Sequence, residues 1–155
     1  MIRPARPEDA GAICTIWNRV IRETTQTFTT AEKMPEVLAT QMEGQPFLVA
    51  EDGGVQGFIT YVQFRGGPGY AFTVEHSVHV AEAARGRGIG RALMAAAEDH
   101  ARAAGMHSMI AGVAGENAGG AAFHAALGYR QIARLPEVGW KFGRWHDLVL
   151  MQKML

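Results

Sequence analysis

The chain has 155 residues, which at roughly 100 to 200 residues per domain is one domain, and its 48% hydrophobic and 19% charged content excludes general disorder. Fifteen basic against fifteen acidic residues give a formal net charge of zero, which excludes a general electrostatic grip on nucleic acid or an anionic membrane. No apolar run reaches the roughly 18 residues that span a bilayer, and Met1-Ile2-Arg3-Pro4-Ala5-Arg6 lacks a signal-peptide core, so the expected location is cytoplasmic.

In chain order, a short extended opening leads to Pro7-Glu8-Asp9, a helix start with proline in the first turn and acids near the positive end of the dipole. Ile13, Ile16, Trp17, Val20 and Ile21 recur at three- and four-residue spacing, which predicts one amphipathic helix. Cys14 lies inside that pattern; as the single cysteine it permits no internal disulfide and is expected to be a buried, inert thiol. Thr24 to Thr30 is polar and β-branched, so the helix should yield to a loop carrying Phe28, either as anchor or as pocket wall. A shorter helix follows around Pro35 to Met42. Phe47 to Glu51 and Val55 to Val62 are apolar runs joined by Asp52-Gly53-Gly54, a hairpin signal. Arg65-Gly66-Gly67-Pro68-Gly69 reads as a loop and Tyr70 to Val80 as the next strand. Arg85-Gly86-Arg87-Gly88-Ile89-Gly90 leads into a helix reaching about Ala104, stopped by Gly105. Ser108 to Val113 is a buried strand. Asn117 is an N-cap for a helix ending at Leu127 with Gly128 as its stop, and strands at about Tyr129 to Leu135 and Asp147 to Met154 close the chain. That order predicts a single mixed α/β (α+β) domain over residues 1–155.

The zero net charge hides an asymmetry: residues 1–75 carry six basic and nine acidic side chains, residues 76–155 nine and six. Arg85, Arg87 and Arg91 fall within seven residues, which points to one local anion site. The first N–H groups of a helix have no intrahelical partner, glycines let the backbone approach closely, and arginines add charge, so the loop suits a diphosphate. The dinucleotide fingerprint needs a glycine where Arg91 stands, and the triphosphate loop needs a Lys followed by Ser or Thr; both are excluded. A glycine-rich turn with solvated arginines is the plain alternative. Glu75 is a carboxylate in an apolar strand, expensive unless hydrogen-bonded, and is therefore a functional candidate. His76 and His79 invite a metal reading, but side chains three apart on a strand face opposite ways, so no metal is expected. On its own setting between Phe123 and Ala125, His124 reads as a satisfied, partly buried residue. His100 is expected to be solvated, and His107 and His146 have no assigned role.

Val78-His79-Val80, the Arg85 to Gly90 loop in the form Arg-x-x-Gly-x-Gly, and the helix after it resemble the acetyl-CoA site of the GCN5-related N-acetyltransferases (GNAT). Thr73-Val74-Glu75-His76-Ser77-Val78, Gly105-Met106-His107-Ser108 and the run Val138 to Leu148 look like the branch that acetylates phosphinothricin, methionine sulfone and methionine sulfoximine. The similarity begins in Trp17-Asn18 and Thr27-Phe28-Thr29-Thr30 and ends at Met151-Gln152. It implies a mostly antiparallel sheet of about seven strands flanked by about four helices, and a homodimer.

The resemblance also implies roles. The pantetheine arm of acetyl-CoA would bond the strand at Val78, His79 and Val80, and its diphosphate would lie on Arg85, Gly86, Arg87, Gly88, Ile89 and Gly90. Asn117 would reach the cofactor, although its role as N-cap is equally good physics. Glu75 would act as base through a water on an α-amine of pKa near 8, and an N–H of the Val78 region would bind the developing oxyanion. His124 stands where the wider family carries a tyrosine and this branch a histidine, which allows a proton donor to sulfur or an acceptor from the amine. The acceptor, a small amino acid analogue, would meet Phe28, Arg65, Tyr70, Glu75 and His79, with Arg65 as its anion partner. Ala71 and Gly67 depart from the branch's further basic positions. Acetylation of a peptide N-terminus, lysine or polyamine, or a CoA-binding sensor without turnover, are the alternatives.

Overall fold

The computed structural model describes residues 1–155. Strands β1 (Ile2–Pro4), β2 (Phe47–Glu51), β3 (Val55–Gln63), β4 (Thr73–Val80), β5 (Ser108–Ala114), β6 (Arg130–Lys141) and β7 (Arg144–Met154) form one sheet in the order β1-β2-β3-β4-β5-β7-β6. Every pairing is antiparallel except β4 with β5. The helices are α1 (Ala10–Glu23), α2 (Pro35–Gln41), α3 (Ile89–Ala103) and α4 (Ala118–Ala126). The expected mixed sheet and helix count are therefore present.

Strand alternation assigns the two faces. On β3, Phe58 enters a cluster with Ile13, Cys14 and Ile16 of α1 and Leu38 of α2, whereas Ile59 and Tyr61 enter the larger cluster under Leu93, Met94 and Ala97 of α3. Each Ile, Leu, Met and Phe among them contributes about 1.5–3 kcal/mol on burial, so both helical layers are held mainly by area removed from water. Cys14 is buried and free, as expected.

Three boundaries differ from the sequence reading. β4 begins at Thr73 because Pro68–Tyr70 forms a 3-10 turn after Gly67, whose φ of 102° suits glycine alone. The last two strands extend to a hairpin with Phe142 and Gly143 at its tip (φ 54° and 72°), and register shifts around Ala133 and between Leu135 and Gly139 had hidden the period-two pattern. His100 is exposed, yet its Nδ1 lies 2.7 Å from the Tyr61 hydroxyl, so it is tethered as well as solvated.

The arrangement of β4 and β5 positions the site. Their parallel ladder covers only Thr73, Val74 and Glu75 against Ser108, Met109 and Ile110. Beyond that point β4 continues to Val80 paired only with β3, and β5 to Ala114 paired only with β7. The sheet therefore splits, leaving a free edge on Ser77 to Val80.

Candidate active site

A cleft of about 740 Å³ opens at this split, lined by β4 from Glu75 to Val80, by β5 from Gly112 to Ala114, and by α1, α4 and the loop after α1. Along β4, Glu75 and His79 face α1: His79 lies beside Phe58 and Trp17, with ring centroids 5.6 and 6.2 Å apart. His76 faces the opposite side, against His124 of α4. The two faces of one strand thus present a carboxylate on one side and a histidine pair on the other. His76 and His79 diverge, as strand alternation requires.

Burial raises the Glu75 carboxyl above the ordinary carboxylate range. Its Oε2 lies where a Cβ on Gly112 would stand only 2.9 Å away, so the bare glycine on β5 makes room for it. A carboxylate with an elevated pKa beside an open cleft is matched to taking a proton near neutral pH. His79 is pushed down to about 4 by burial and the nearby Arg85, which keeps its ring neutral at physiological pH.

The histidine pair has one consistent protonation pattern. The Gly120 carbonyl can only accept, so His124 Nδ1–H donates to it at 2.8 Å. His124 Nε2 is then an acceptor, and His76 Nε2–H donates to it at 3.0 Å. His76 Nδ1 is left buried without a partner. Burial lowers both rings, His76 to about 3 with the neighbouring His124 adding to the shift, so the pair is neutral at pH 7. Both His124 nitrogens are engaged, so this arrangement leaves it no lone pair for a substrate amine.

At the far end of the cleft, Arg85 and Gly90 line the wall and Gly86 to Ile89 complete the loop between them. The N–H groups of Gly86 through Arg91 donate to no backbone carbonyl. Gly86 and Gly88 hold φ of 76° and 78° with open space where a Cβ would be. Consecutive free amides at the start of α3 make the loop fit a diphosphate. Arg87 is turned to an ion pair with Asp52 at 2.7 Å, leaving Arg85 as the loop's cation in the cleft. Asn117 lines the cleft and caps α4, its Oδ1 accepting from Gly120 N–H at 2.9 Å.

The residues expected to meet the acceptor are only partly gathered. Phe28, Glu75 and His79 line the cleft, whereas Arg65 and Tyr70 sit together on the exposed β3–β4 connection, 5.6 Å apart, and do not. Phe28 is fixed from behind: it stacks on His146 at 5.4 Å and covers Gly139, where any Cβ would collide with its ring. Trp17 and Lys33 also line the cleft and were not singled out as site residues, because Trp17 fits the apolar stripe of α1 and nothing about Lys33 in sequence marks it.

The acetyltransferase (GNAT) family model matches residues 15–129, most of the chain, including β4, β5 and the loop that opens α3. The chain belongs to this family. It is an N-acetyltransferase, and GNAT enzymes draw their acetyl group from acetyl-CoA. An L-methionine sulfoximine/L-methionine sulfone acetyltransferase of Salmonella typhimurium is 39% identical over 160 residues, spanning 99% of this chain and 94% of that protein. A ribosomal-protein-alanine N-acetyltransferase of Brucella melitensis superposes with a TM-score of 0.96 at 38% identity, covering 100% of this chain and 99% of that one. A phosphinothricin acetyltransferase of Sinorhizobium meliloti, solved in complex with acetyl-CoA, gives 0.94 at 31% identity over 100% of this chain and 88% of that one.

Proposed function

We propose that this GNAT enzyme moves acetyl from acetyl-CoA to the α-amino group of a small amino acid analogue of the methionine sulfoximine, methionine sulfone or phosphinothricin kind. The observation that carries the reading is Glu75, a half-buried carboxylate of raised pKa standing where β4 and β5 part. The amide-bearing pantetheine arm adds to the free edge of Ser77 to Val80, and the diphosphate takes the N–H groups of Gly86 to Arg91. Glu75 removes, through a water, the proton that frees the amine, and the nitrogen attacks the thioester carbon. An N–H from the Val78 edge stabilises the oxyanion. As the C–S bond breaks the nitrogen loses its second proton and the thiolate gains one, so one proton is released overall. The His124 ring lines the cleft on the face of β4 opposite Glu75; it can exchange a proton only when Nε2 leaves His76.

The Brucella melitensis neighbour, by its description, favours a second reading, in which the acceptor is a peptide N-terminal amine. Thiol release with a panel of methionine sulfone, methionine sulfoximine, phosphinothricin and alanine-starting peptides separates the two. Turnover confined to the free amino acids supports the first; peptides turned over with the higher kcat/KM overturn it. Cofactor binding with no acceptor-dependent thiol release would leave only a sensor.

A further inference from the structure

We propose that Lys33, in place of the exposed Arg65, receives the α-carboxylate of the acceptor; the assignment rests on the amino acid reading above. Of the chain's three lysines, Lys141 is spent on the backbone oxygens of Thr24 and Thr27 and Lys153 on Glu98. Lys33 makes no hydrogen bond or ion pair through its ammonium, which rests 4.5 Å above the Trp17 ring. Its backbone is clamped from both sides by one residue: Asn18 Nδ2 donates to Lys33 O at 3.0 Å, and Lys33 N–H donates to Asn18 Oδ1 at 2.7 Å. The irregular segment between α1 and α2 is thereby pinned at this residue, and both Lys33 and Trp17 line the cleft.

Placement decides what this free cation is for. Trp17 touches His79, which shares a face of β4 with Glu75, so Lys33 stands on the Glu75 side of the sheet. In an α-amino acid the carboxylate is one carbon from the amine, so the group that binds it must share the cleft and the face of the base. Lys33 and Arg85 are the two cations lining the cleft, and Arg85 belongs to the phosphate loop. Arg65 lies outside the cleft. An ammonium held over an aromatic face, with no acid already paired to it, is pre-organised for an incoming carboxylate.

The test compares L-methionine sulfone with its α-carboxamide, by thiol release and by calorimetric binding in the presence of CoA. Wild type is expected to favour the acid. Lys33→Met keeps the apolar stem over Trp17 and should raise KM for the acid roughly ten- to hundredfold, as expected for losing a hydrogen bond to a charged group, with the carboxamide changed less than twofold. Lys33→Arg should restore most of the preference, and Arg65→Met should leave it intact. Equal binding of acid and amide by wild type overturns the assignment whether or not acetyl is transferred. So does a preference that survives Lys33→Met, or one abolished by Arg65→Met. A protein that discriminates acid from amide through Lys33 yet releases no thiol would instead count against the transfer reading alone.

Discussion

Lys141 is the most demanding test of how the acceptor wall is held. It is 2% exposed, and its ammonium donates to the backbone oxygens of Thr24 at 2.6 Å and Thr27 at 2.8 Å, tying β6 to the loop that ends α1 and carries Phe28. Lys141→Met keeps the length and removes both donors. Two hydrogen bonds from a charged donor are worth roughly 3–6 kcal/mol together, and relief of the buried charge returns part of that. The net loss is about 2–4 kcal/mol, which at ~2–4 °C per kcal/mol for a domain of this size lowers the Tm by roughly 5–15 °C. Because Thr27 and Phe28 line the cleft, the acceptor KM should also rise several-fold while the acetyl-CoA KM stays within twofold. Differential scanning calorimetry and steady-state thiol release read both effects. A Tm within 2 °C of wild type, with an unchanged acceptor KM, would show that the loop holds its place without Lys141.

Glu75→Gln should depress turnover by about a hundredfold or more with cofactor affinity preserved. Because burial raises the Glu75 pKa in the folded state, its ionised form opposes folding above that pKa, so the same variant should unfold at an equal or higher temperature at pH 8. A variant less stable than wild type there contradicts the assignment. His76 has the opposite sign: a folded value of about 3 against 6.5 unfolded means its stability contribution is full above pH 6.5 and lost as pH falls below it. At pH 4.5, two units down, that loss is about 3 kcal/mol, and His76→Phe should flatten the acid limb in urea titrations at pH 7 and 4.5; an unchanged limb refutes it. Gly88→Val forces a β-branched side chain to φ 78°, at a cost of about 1–2 kcal/mol, into the space above the free amides, and should abolish CoA binding in calorimetry. Unaltered affinity would remove the diphosphate from this loop.

The parts of the molecule that obey local rules were legible in sequence. The amphipathic stripe of α1, the Asp52-Gly53-Gly54 turn, the glycines that open α3 and the Asn117 cap each follow from short-range geometry, and the structure shows each of them. The family resemblance added Val78 to Val80 as the expected seat of the pantetheine arm, whereas the split of β4 from β5 that frees that edge is seen only in the structure. What escaped was set by distant contacts. The long β6–β7 hairpin is broken by bulges that scramble its alternation, so Trp140 and Trp145 gave no strand signal. Nothing in sequence marks Lys141 as buried, because its partners lie more than a hundred positions earlier in the chain. Lys33 carries no pattern at all; only the side chain of Asn18, fifteen residues before it, makes its position definite.

The histidine pair shows the same dependence on context and narrows the chemistry. The family resemblance allowed His124 to accept a proton from the amine or give one to sulfur. The Gly120 carbonyl fixes Nδ1 as a donor, and His76 then occupies Nε2, so acceptance from the amine is closed while that contact lasts. The base role proposed above for Glu75 lies on the other face of the same strand. Protonating the pair is costly, because burial disfavours a charged ring and His124 opposes charge on His76. The pair therefore resists charging in the cleft at neutral pH, and the site can carry an elevated carboxylate pKa on one face of β4 and depressed imidazole pKa values on the other, from the burial common to both.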